Sequence, residues 1–499
     1  MVARPLSIRT VFYNCAGPYT LMFVLLLLAE LLKQSKKQNM IAQKKHPGSF
    51  RDTSGFIFFQ NGRLHRQVNT NYKENYDHLM NSGLYQTLVD ADLLIPHHEV
   101  KSEHTESDEV YKILKPELIP FISYPYEWCF SQLRDAALAT LEIQKKSIDF
   151  GMSLKDCSAY NIQFRKGKPV FIDTLSFEKY REGQPWVAYR QFSQHFLAPL
   201  ALMSYTDIRL NQLLRIYIDG VPLDLASSLL PFRTHFRFST LSHIHLHAKS
   251  QKHYADRTTN VSRRQMGRFA FAGIIDSLES GVKKLNWRPQ GTEWSNYYEA
   301  TNYSSDALHH KKGLVAEFLD QINPGCVWDL GANTGLFSRI ASDRGIQTIS
   351  FDVDPSAVEQ NYLECAKNGE VNMLPLLLDL TNPSPSIGWE NAERMSFLAR
   401  GPADAVMALA LMHHLAISNN VPFEKIADFL SKICRFLIVE FIPKSDSQVQ
   451  KLLSTREDIF AEYAQPAFER AFKAYFTVQN TVRIKDSERT LYLMERQQT

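Results

Sequence analysis

The stretch Val327–Gly335, VWDLGANTG, decides the fold of the carboxyl-terminal half of the 499-residue chain. A short apolar run carries the acidic residue Asp329 and breaks into a turn that contains Gly331 and Gly335, and the following residues, GLFSRIASDRG, have helical spacing. Glycine permits a tight turn and a close approach of a ligand to the backbone, and the first turn of a helix offers unpaired N–H groups. The pattern predicts a strand, a glycine turn and a helix that bind a nucleoside-sized ligand.

Three more predicted strands end in polar residues. The run QTISFDVDP places Asp352 23 residues after Asp329 (352 − 329), close to the roughly 20-residue spacing at which an acid binds a ribose diol. The run MLPLLLDL carries Asp379, which we expect to face an adenine edge, and ADAVMALALMHHL carries His413 and His414. Because ligands of open α/β sheets bind at the carboxyl ends of the strands, these residues predict one binding rim.

The four motifs, in this order, resemble those of the class I S-adenosylmethionine (SAM)-dependent methyltransferases. The resemblance covers residues 295–499 and implies an α/β, Rossmann-like sheet of seven strands, closed by an antiparallel hairpin around the polar turn IKDSER. It also implies a set of SAM-binding residues, namely Asp329, Gly331, Asn333, Gly335, Asp352, Asp379 and Leu411. Asn333 stands where the usual motif has a glycine. A Rossmann-like dehydrogenase and a domain that has lost its cofactor are the alternatives.

Methyl transfer from a sulfonium requires mainly alignment of the reactants in a dry site. A hydroxyl or amine acceptor must also lose a proton, and His413 and His414 are the candidate bases near neutral pH. The structural alternative is that this pair frames the cofactor or caps a helix. Tyr298 and Tyr303 are candidates for a lid over the cofactor or for packing. The Asn-Pro-Pro-Tyr type of signature of many N-methyltransferases is absent, which disfavours adenine or glutamine amide acceptors.

Residues 49–285 predict a separate α+β domain, with a hairpin at Asn61-Gly62 and a long helix in SQLRDAALATLEIQKKSIDFGM. Further on, Asp156, Asn161 and Asp173 follow the layout of kinases: a catalytic-loop Asp, an Asn five residues later, and an Asp after a hairpin. This half therefore resembles a degenerate kinase-like or aminoglycoside-phosphotransferase-like domain.

Asn161 and Asp173 are the candidate Mg²⁺ ligands of that domain. Leu154-Lys155 and Thr174-Leu175 replace the residues that flank the two acids in kinases, and no GxGxxG loop precedes them. We therefore expect the domain to bind a substrate or partner and not to transfer phosphate. A loop capped by buried polar residues is the structural alternative.

Between Arg233 and Arg268 the sequence is basic and rich in histidine. In the segment HIHLH, His243, His245 and His247 alternate and would share one face of a strand. A metal site there lacks the Cys, Asp or Glu ligands that would support it, and a solvated basic face is the better interpretation.

The net charge of +3 is small for this length and favours neither nucleic acid nor a membrane surface as partner. The six cysteines lack a CxxC pair, which indicates reduced thiols and a cytoplasmic protein. Residues 1–48 form a basic and apolar extension, and the apolar part of residues 17–32 is too short to span a bilayer. The interpretations of this extension are a misassigned start before Met40, an unimportant extension, and a membrane anchor.

The sequence thus predicts a SAM-dependent methyltransferase with a kinase-like domain for substrate or partner binding. A further resemblance, to bacterial methyltransferases grouped with nodulation-type proteins, favours a small-molecule or carbohydrate acceptor. The alternative is a small-molecule or protein kinase-like phosphotransferase with a SAM-binding regulatory domain, and a non-catalytic scaffold is the third hypothesis.

Overall fold

The computed structural model describes residues 44–101, 109–249, 266–289, 304–454 and 457–497. The apolar segment 17–32, Met40, Tyr298 and Tyr303 lie outside these ranges, so the predictions made for them stay predictions. Within the described ranges, each helix is either too short or not apolar enough to pass through a bilayer.

An antiparallel sheet forms the first part of the amino-terminal half. Its strands are β1 Lys44–Lys45, β2 Gly55–Gln60, β3 Arg63–Asn69, β4 His97–Val100 and β5 Val110–Pro116, in the order β1-β2-β3-β5-β4. Helices α1 Lys73–Asn81 and α2 Leu84–Asp90 connect β3 to β4. Asn61 and Gly62 both have positive φ, at 52° and 72°, which confirms the predicted two-residue hairpin turn.

The long predicted helix is confirmed as α3, Phe130–Asp149, and most of its residues are buried. Four short strands follow, β6 Met152–Leu154, β7 Ile162–Arg165, β8 Lys168–Phe171 and β9 Phe177–Lys179, paired as β6-β9 and β7-β8. Lys166 and Gly167, both at positive φ, make the turn of the β7-β8 hairpin.

Five short helices and the longer α9 complete the described part of this half. They are α4 Tyr189–Phe192, α5 Ala198–Tyr205, α6 Leu213–Ile216, α7 Leu223–Leu229, α8 Phe238–Thr240 and α9 Arg268–Lys284, with π-helical turns at Ser193–Leu197 and Leu241–His245. The histidines of HIHLH are therefore on a helix, and the strand that their alternation suggested is wrong. His243 bonds Tyr189 and Ser277, and His245 bonds other hydroxyls, so the segment is held by buried polar contacts.

The carboxyl-terminal half is one sheet covered by helices. Its strands are β10 Cys326–Leu330, β11 Gln347–Asp352, β12 Met373–Leu377, β13 Ala403–Ala408, β14 Cys434–Phe441, β15 Phe476–Arg483 and β16 Thr490–Arg496. Its helices are α10 Ser305–Ile322, α11 Ser338–Ser342, α12 Pro355–Asn368, α13 Phe423–Ile433, α14 Ser447–Leu453 and α15 Gln465–Lys473, with a π-helical turn at His414–Ser418.

The seven strands lie in the order β12-β11-β10-β13-β14-β16-β15. The first five are parallel, and β15 and β16 add the antiparallel hairpin that closes the sheet. The chain reverses its direction of growth between β10 and β13, which leaves a crevice at their carboxyl ends. The Rossmann-like sheet predicted from the motifs is confirmed, including its hairpin.

The two halves share one hydrophobic core, because buried residues of both belong to the same contiguous cluster. An ion pair of 2.5 Å between Glu127 and Arg400 crosses this contact, with both side chains 1% exposed. The Glu359 carboxylate accepts hydrogen bonds from the Ser131 backbone and hydroxyl. The amino-terminal half and the sheet are thus packed together along a buried surface, and the predicted domain limits stay predictions.

Candidate active site

A cavity of about 430 Å³ lies at the carboxyl ends of β10, β11, β12 and β13. The residues predicted from sequence that line it are Asp329, Gly331, Asn333, Asp352, Asp379, Leu411 and His414. Gly335 and His413 are not among its lining residues. Its volume falls in the range of about 300–1,000 Å³ typical of small-molecule sites.

The glycine turn has a backbone shape that its sequence explains. Gly331 has φ 77°, and a Cβ there would lie 3.4 Å from the Leu411 side chain. Asn333 has φ 52°, a left-handed conformation that asparagine tolerates better than most residues, which explains how it replaces a glycine. At Gly335, with φ 81°, a Cβ would lie 2.7 Å from the Asn361 amide. Gly335 therefore shapes the turn without facing the cavity.

Asp352 sits at the end of β11 and is held by the backbone on both oxygens. One oxygen accepts the Asn333 N–H at 2.7 Å, and the other accepts the Asp354 N–H at 2.8 Å. Burial raises the pKa of Asp352 to about 6, and the two N–H donors oppose that rise. A carboxylate fixed in this way keeps further lone pairs for hydroxyl donors, as binding of a ribose diol requires.

Asp329, a residue of β10, lies deeper, at the base of the cavity. It is 2% exposed and accepts a hydrogen bond of 2.6 Å from the Ser338 hydroxyl. Burial raises its pKa to about 7, while the Ser338 hydrogen bond and the nearby Lys311 ammonium act in the opposite direction. Asp329 thus changes its charge near neutral pH.

Asp379 is exposed at the rim after β12. One of its oxygens accepts both the Thr381 N–H, at 2.8 Å, and the Thr381 hydroxyl, at 2.6 Å. This local turn fixes the direction of the carboxylate. The neighbouring lining residues Leu378, Leu380 and Val353 are apolar, and Val353 is 60% exposed. An acid beside apolar side chains suits the edge and the face of an adenine ring.

The two candidate histidines differ in their surroundings. β13 ends at Ala408, and both histidines lie at the start of the following π-helical turn, with ring centroids 4.0 Å apart. His414 lines the cavity. His413 is 1% exposed, and burial, followed by repulsion from His414, Arg489 and Lys311, lowers its pKa well below 6.5. His414 is therefore the one placed to meet an acceptor.

A buried group of charges lies beside the cavity, and its two cations, Lys311 and Arg489, were missed from sequence. Lys311 lines the cavity at 2% exposure and donates to Glu440 at 2.7 Å, and its ammonium lies 4.5 Å from the centroid of the Phe337 ring. Glu440 also accepts the N–H of Ala410, a residue held at φ 49°.

Arg489, itself 1% exposed, lies 3.8 Å from Glu440 and bonds Asp446 at 2.7 Å. A signal for this group existed in the sequence. Lys311 lies on the buried stripe of α10 together with Ala307 and Val315, a position where a cation needs a partner.

The two acids predicted for a kinase-like site, Asp156 and Asp173, bond side chains and backbone of the chain itself. Asp173 receives the Arg66 guanidinium from β3 and the Ser176 hydroxyl. Asp156 accepts from the Ser158 N–H at 2.9 Å and from the side chain of Gln191. A cation on Asp173 competes with Mg²⁺ for the same oxygens. In the part of the chain that the structure describes, no cluster of three or more His, Cys, Asp or Glu side chains is placed to hold a metal.

Known proteins are similar to this chain in sequence and in structure. No protein-family profile matches it. The nodulation protein NoeA of Rhizobium meliloti (strain 1021) is 36% identical over 458 residues, which cover 90% of this chain and 95% of that protein. The chain belongs to the NoeA family. Because the match covers nine-tenths of the chain, the NoeA family has both halves, the amino-terminal half as well as the sheet that carries the cavity.

Solved structures similar to this member of the NoeA family include three methyltransferases. Magnesium protoporphyrin IX methyltransferase of Synechocystis PCC 6803 with bound SAH is 16% identical, and the match covers 41% of this chain and 93% of that chain with a TM-score of 0.30. The N-methyltransferase NodS of Bradyrhizobium japonicum WM9 is 10% identical, with 39% of this chain and 99% of that chain covered and a TM-score of 0.29. The bifunctional kinase-methyltransferase WbdD is 14% identical, with 43% of this chain and 45% of that chain covered and a TM-score of 0.27. Because these TM-scores are low, we assign the fold from the order and direction of the strands in the sheet. The carboxyl-terminal half has the class I methyltransferase fold.

Proposed function

We propose that the chain is a SAM-dependent methyltransferase whose cofactor lies in the cavity at the rim of the carboxyl-terminal sheet. The observation that carries the proposal is the Asp352 carboxylate, which two backbone N–H groups hold at the edge of an open cavity beside the glycine turn. Side chains of the chain leave that cavity open, and its residues offer an acid for a ribose and apolar contacts for an adenine.

SAM supplies an activated methyl group on a sulfonium when it is bound. The residues of the chain hold and orient the reactants. Asp352 would accept the ribose hydroxyls, Asp379 and Val353 would contact the adenine, and the Lys311 ammonium would attract the carboxylate of the methionine part. Leu308, Leu415 and other apolar lining residues exclude water from the reacting groups.

The acceptor enters beside His414, which lines the cavity with Ser418 and Asn419. His414 removes the proton of a hydroxyl or amine acceptor. The His413 ring, which its burial keeps neutral, packs against the His414 ring with centroids 4.0 Å apart. The polar side chains beside His414, those of Ser418 and Asn419, favour a small molecule or a carbohydrate as the acceptor. Since the relative in Rhizobium meliloti is named a nodulation protein, we propose that this chain works in nodulation as well.

The amino-terminal half serves, in this proposal, to bind the substrate or a partner. The Arg66 guanidinium on Asp173 neutralises the carboxylate that a kinase uses for metal, which supports binding over phosphoryl transfer. The reduced cysteines that the sequence favours support a cytoplasmic site of action.

The test is incubation of the full chain with SAM labelled in the methyl group and a cell extract, followed by identification of the labelled product. We expect label in a small molecule or carbohydrate, and its loss with Asp352→Ala. Calorimetry with ATP and Mg²⁺ on wild type and Asp173→Ala tests the kinase alternative. Binding of ATP that depends on Asp173, together with no binding of SAM, would overturn the proposal.

A further inference from the structure

Seven consecutive residues of the amino-terminal half, 232–238, FRTHFRF, present three large apolar side chains to solvent. Phe232, Phe236 and Phe238 are 74%, 79% and 74% exposed. The exposed Arg233 and Arg237 alternate with them. We call these five residues the phenylalanine patch. Phenylalanines this exposed are unfavourable in water, and several within one short segment indicate a contact surface.

The patch is held from behind by buried contacts. Thr234, which is fully buried, bonds the His245 ring at 2.9 Å through its hydroxyl, and its carbonyl accepts the Thr240 hydroxyl at 2.5 Å. The His235 ring stacks on His245 with centroids 3.7 Å apart. The exposed rings Phe232 and Phe236 also contact each other, at 5.5 Å between centroids. The exposure therefore belongs to a fixed segment.

The composition around the patch selects the kind of partner. Residues 225–250 contain no Asp, Glu, Asn or Gln, but they contain Arg233, Arg237 and Lys249. Acid and amide side chains are the strong hydrogen-bond acceptors for carbohydrate hydroxyls, and residues 225–250 contain none of them. Phenylalanine also lacks a polar tip, so its ring is suited to an apolar medium. The net charge of the whole chain is only +3, so this local excess of cations is not apparent from the net charge.

We propose that the phenylalanine patch docks the protein on an anionic lipid bilayer. The three phenylalanine rings enter the boundary between head groups and acyl chains, while the two arginines contact lipid phosphates. The cytoplasmic leaflet of a membrane carries the negative charge that this surface matches. The proposal is independent of the methyltransferase assignment, since none of its residues lines the cavity.

The experiment is co-sedimentation of the full-length chain with vesicles of phosphatidylglycerol and phosphatidylcholine, compared with phosphatidylcholine alone. We expect binding to the anionic vesicles, and about tenfold weaker binding for each phenylalanine changed to serine. Arg233→Gln and Arg237→Gln should each weaken binding about fivefold at low salt, because a basic residue near an anionic surface contributes about 1 kcal/mol. Salt of about 1 M should remove this contribution of the arginines.

Trp389→Ser is the matched control, because Trp389 is 67% exposed but lies in the carboxyl-terminal half. It should bind vesicles like the wild type. A variant with all three phenylalanines changed to serine that binds as tightly as the wild type would overturn the proposal. So would a wild type that ignores anionic vesicles, or one that binds neutral vesicles equally well. A concentration-dependent dimer lost in the same variant, without vesicle binding, would assign the patch to self-association.

Discussion

Replacement of Asp352 should weaken SAM binding more than any other single change at the rim. Its two oxygens each accept one backbone N–H, from Asn333 and Asp354, and we expect them to accept the two ribose hydroxyls as well. A hydrogen bond to a charged group contributes about 1.5–3 kcal/mol. Loss of both hydroxyl contacts, partly replaced by water, should cost about 3 kcal/mol, or roughly a 150-fold increase in Kd.

Asp352→Asn should be nearly as harmful as Asp352→Ala. The NH₂ group of an asparagine would have to face one of the two backbone N–H donors, so one donor loses its acceptor. The matched control is Asp404→Asn. One Asp404 oxygen also accepts two backbone N–H groups, those of Gly325 and Cys326 at 2.9 and 3.0 Å, but these lie at the opposite end of the sheet. Titration calorimetry with SAM and SAH measures the affinities, and thermal unfolding checks the fold.

The same carboxylate predicts a pH dependence. Since the pKa of Asp352 is raised to about 6, the group is ionised above that pH and protonated below it. SAM affinity should be constant above about pH 7 and fall up to tenfold per pH unit below 6. The reasoning is refuted if Asp352→Ala binds SAM within threefold of the wild type and of Asp404→Asn, or if the affinity rises as the pH falls.

Three further perturbations test other parts of the structure. Asp329→Asn should stabilise the unliganded protein, more at pH 8 than at pH 5, as measured by urea unfolding. The Asp329 carboxyl keeps its proton up to about pH 7 in the folded protein but only up to about pH 4 in the unfolded chain. The free energy of unfolding of the wild type therefore falls as the pH rises between these values, by about 4 kcal/mol in all. Glu127→Gln should lower the free energy of unfolding by about 3–5 kcal/mol by leaving Arg400 buried and unpaired; a loss below 1 kcal/mol would show that the ion pair between the halves contributes little. His414→Gln should slow methyl transfer to the identified acceptor at least about 100-fold with SAM affinity unchanged, whereas equal rates would exclude it as the base.

The part of the fold that the sequence could predict is the part governed by local rules. The apolar run before Gly331 and the acid at Asp352 are local features typical of a parallel sheet, and the polar turn IKDSER is a local feature typical of an antiparallel hairpin. The turns at Asn61-Gly62 and Lys166-Gly167 were equally predictable, because glycine adopts a left-handed conformation without strain and asparagine tolerates it.

The parts that sequence could not supply depend on contacts between distant residues. Glu127 and Arg400 are 273 positions apart in the sequence, and the residues around each of them do not predict the buried ion pair that joins the two halves. Arg66 could not be assigned to Asp173, because their contact depends on how β3 packs over the loop. The alternation of HIHLH suggested a strand, but buried hydroxyl partners hold this segment as a helix.

The position of the adenosyl group is the central claim, and a crystal structure of the full chain grown with SAH tests it most directly. We predict electron density for the nucleoside in the cavity, with both ribose hydroxyls within hydrogen-bonding distance of Asp352 and the adenine beside Asp379. A cavity closed by the chain's own side chains in crystals grown with saturating SAH, or a nucleoside bound elsewhere, would contradict the account.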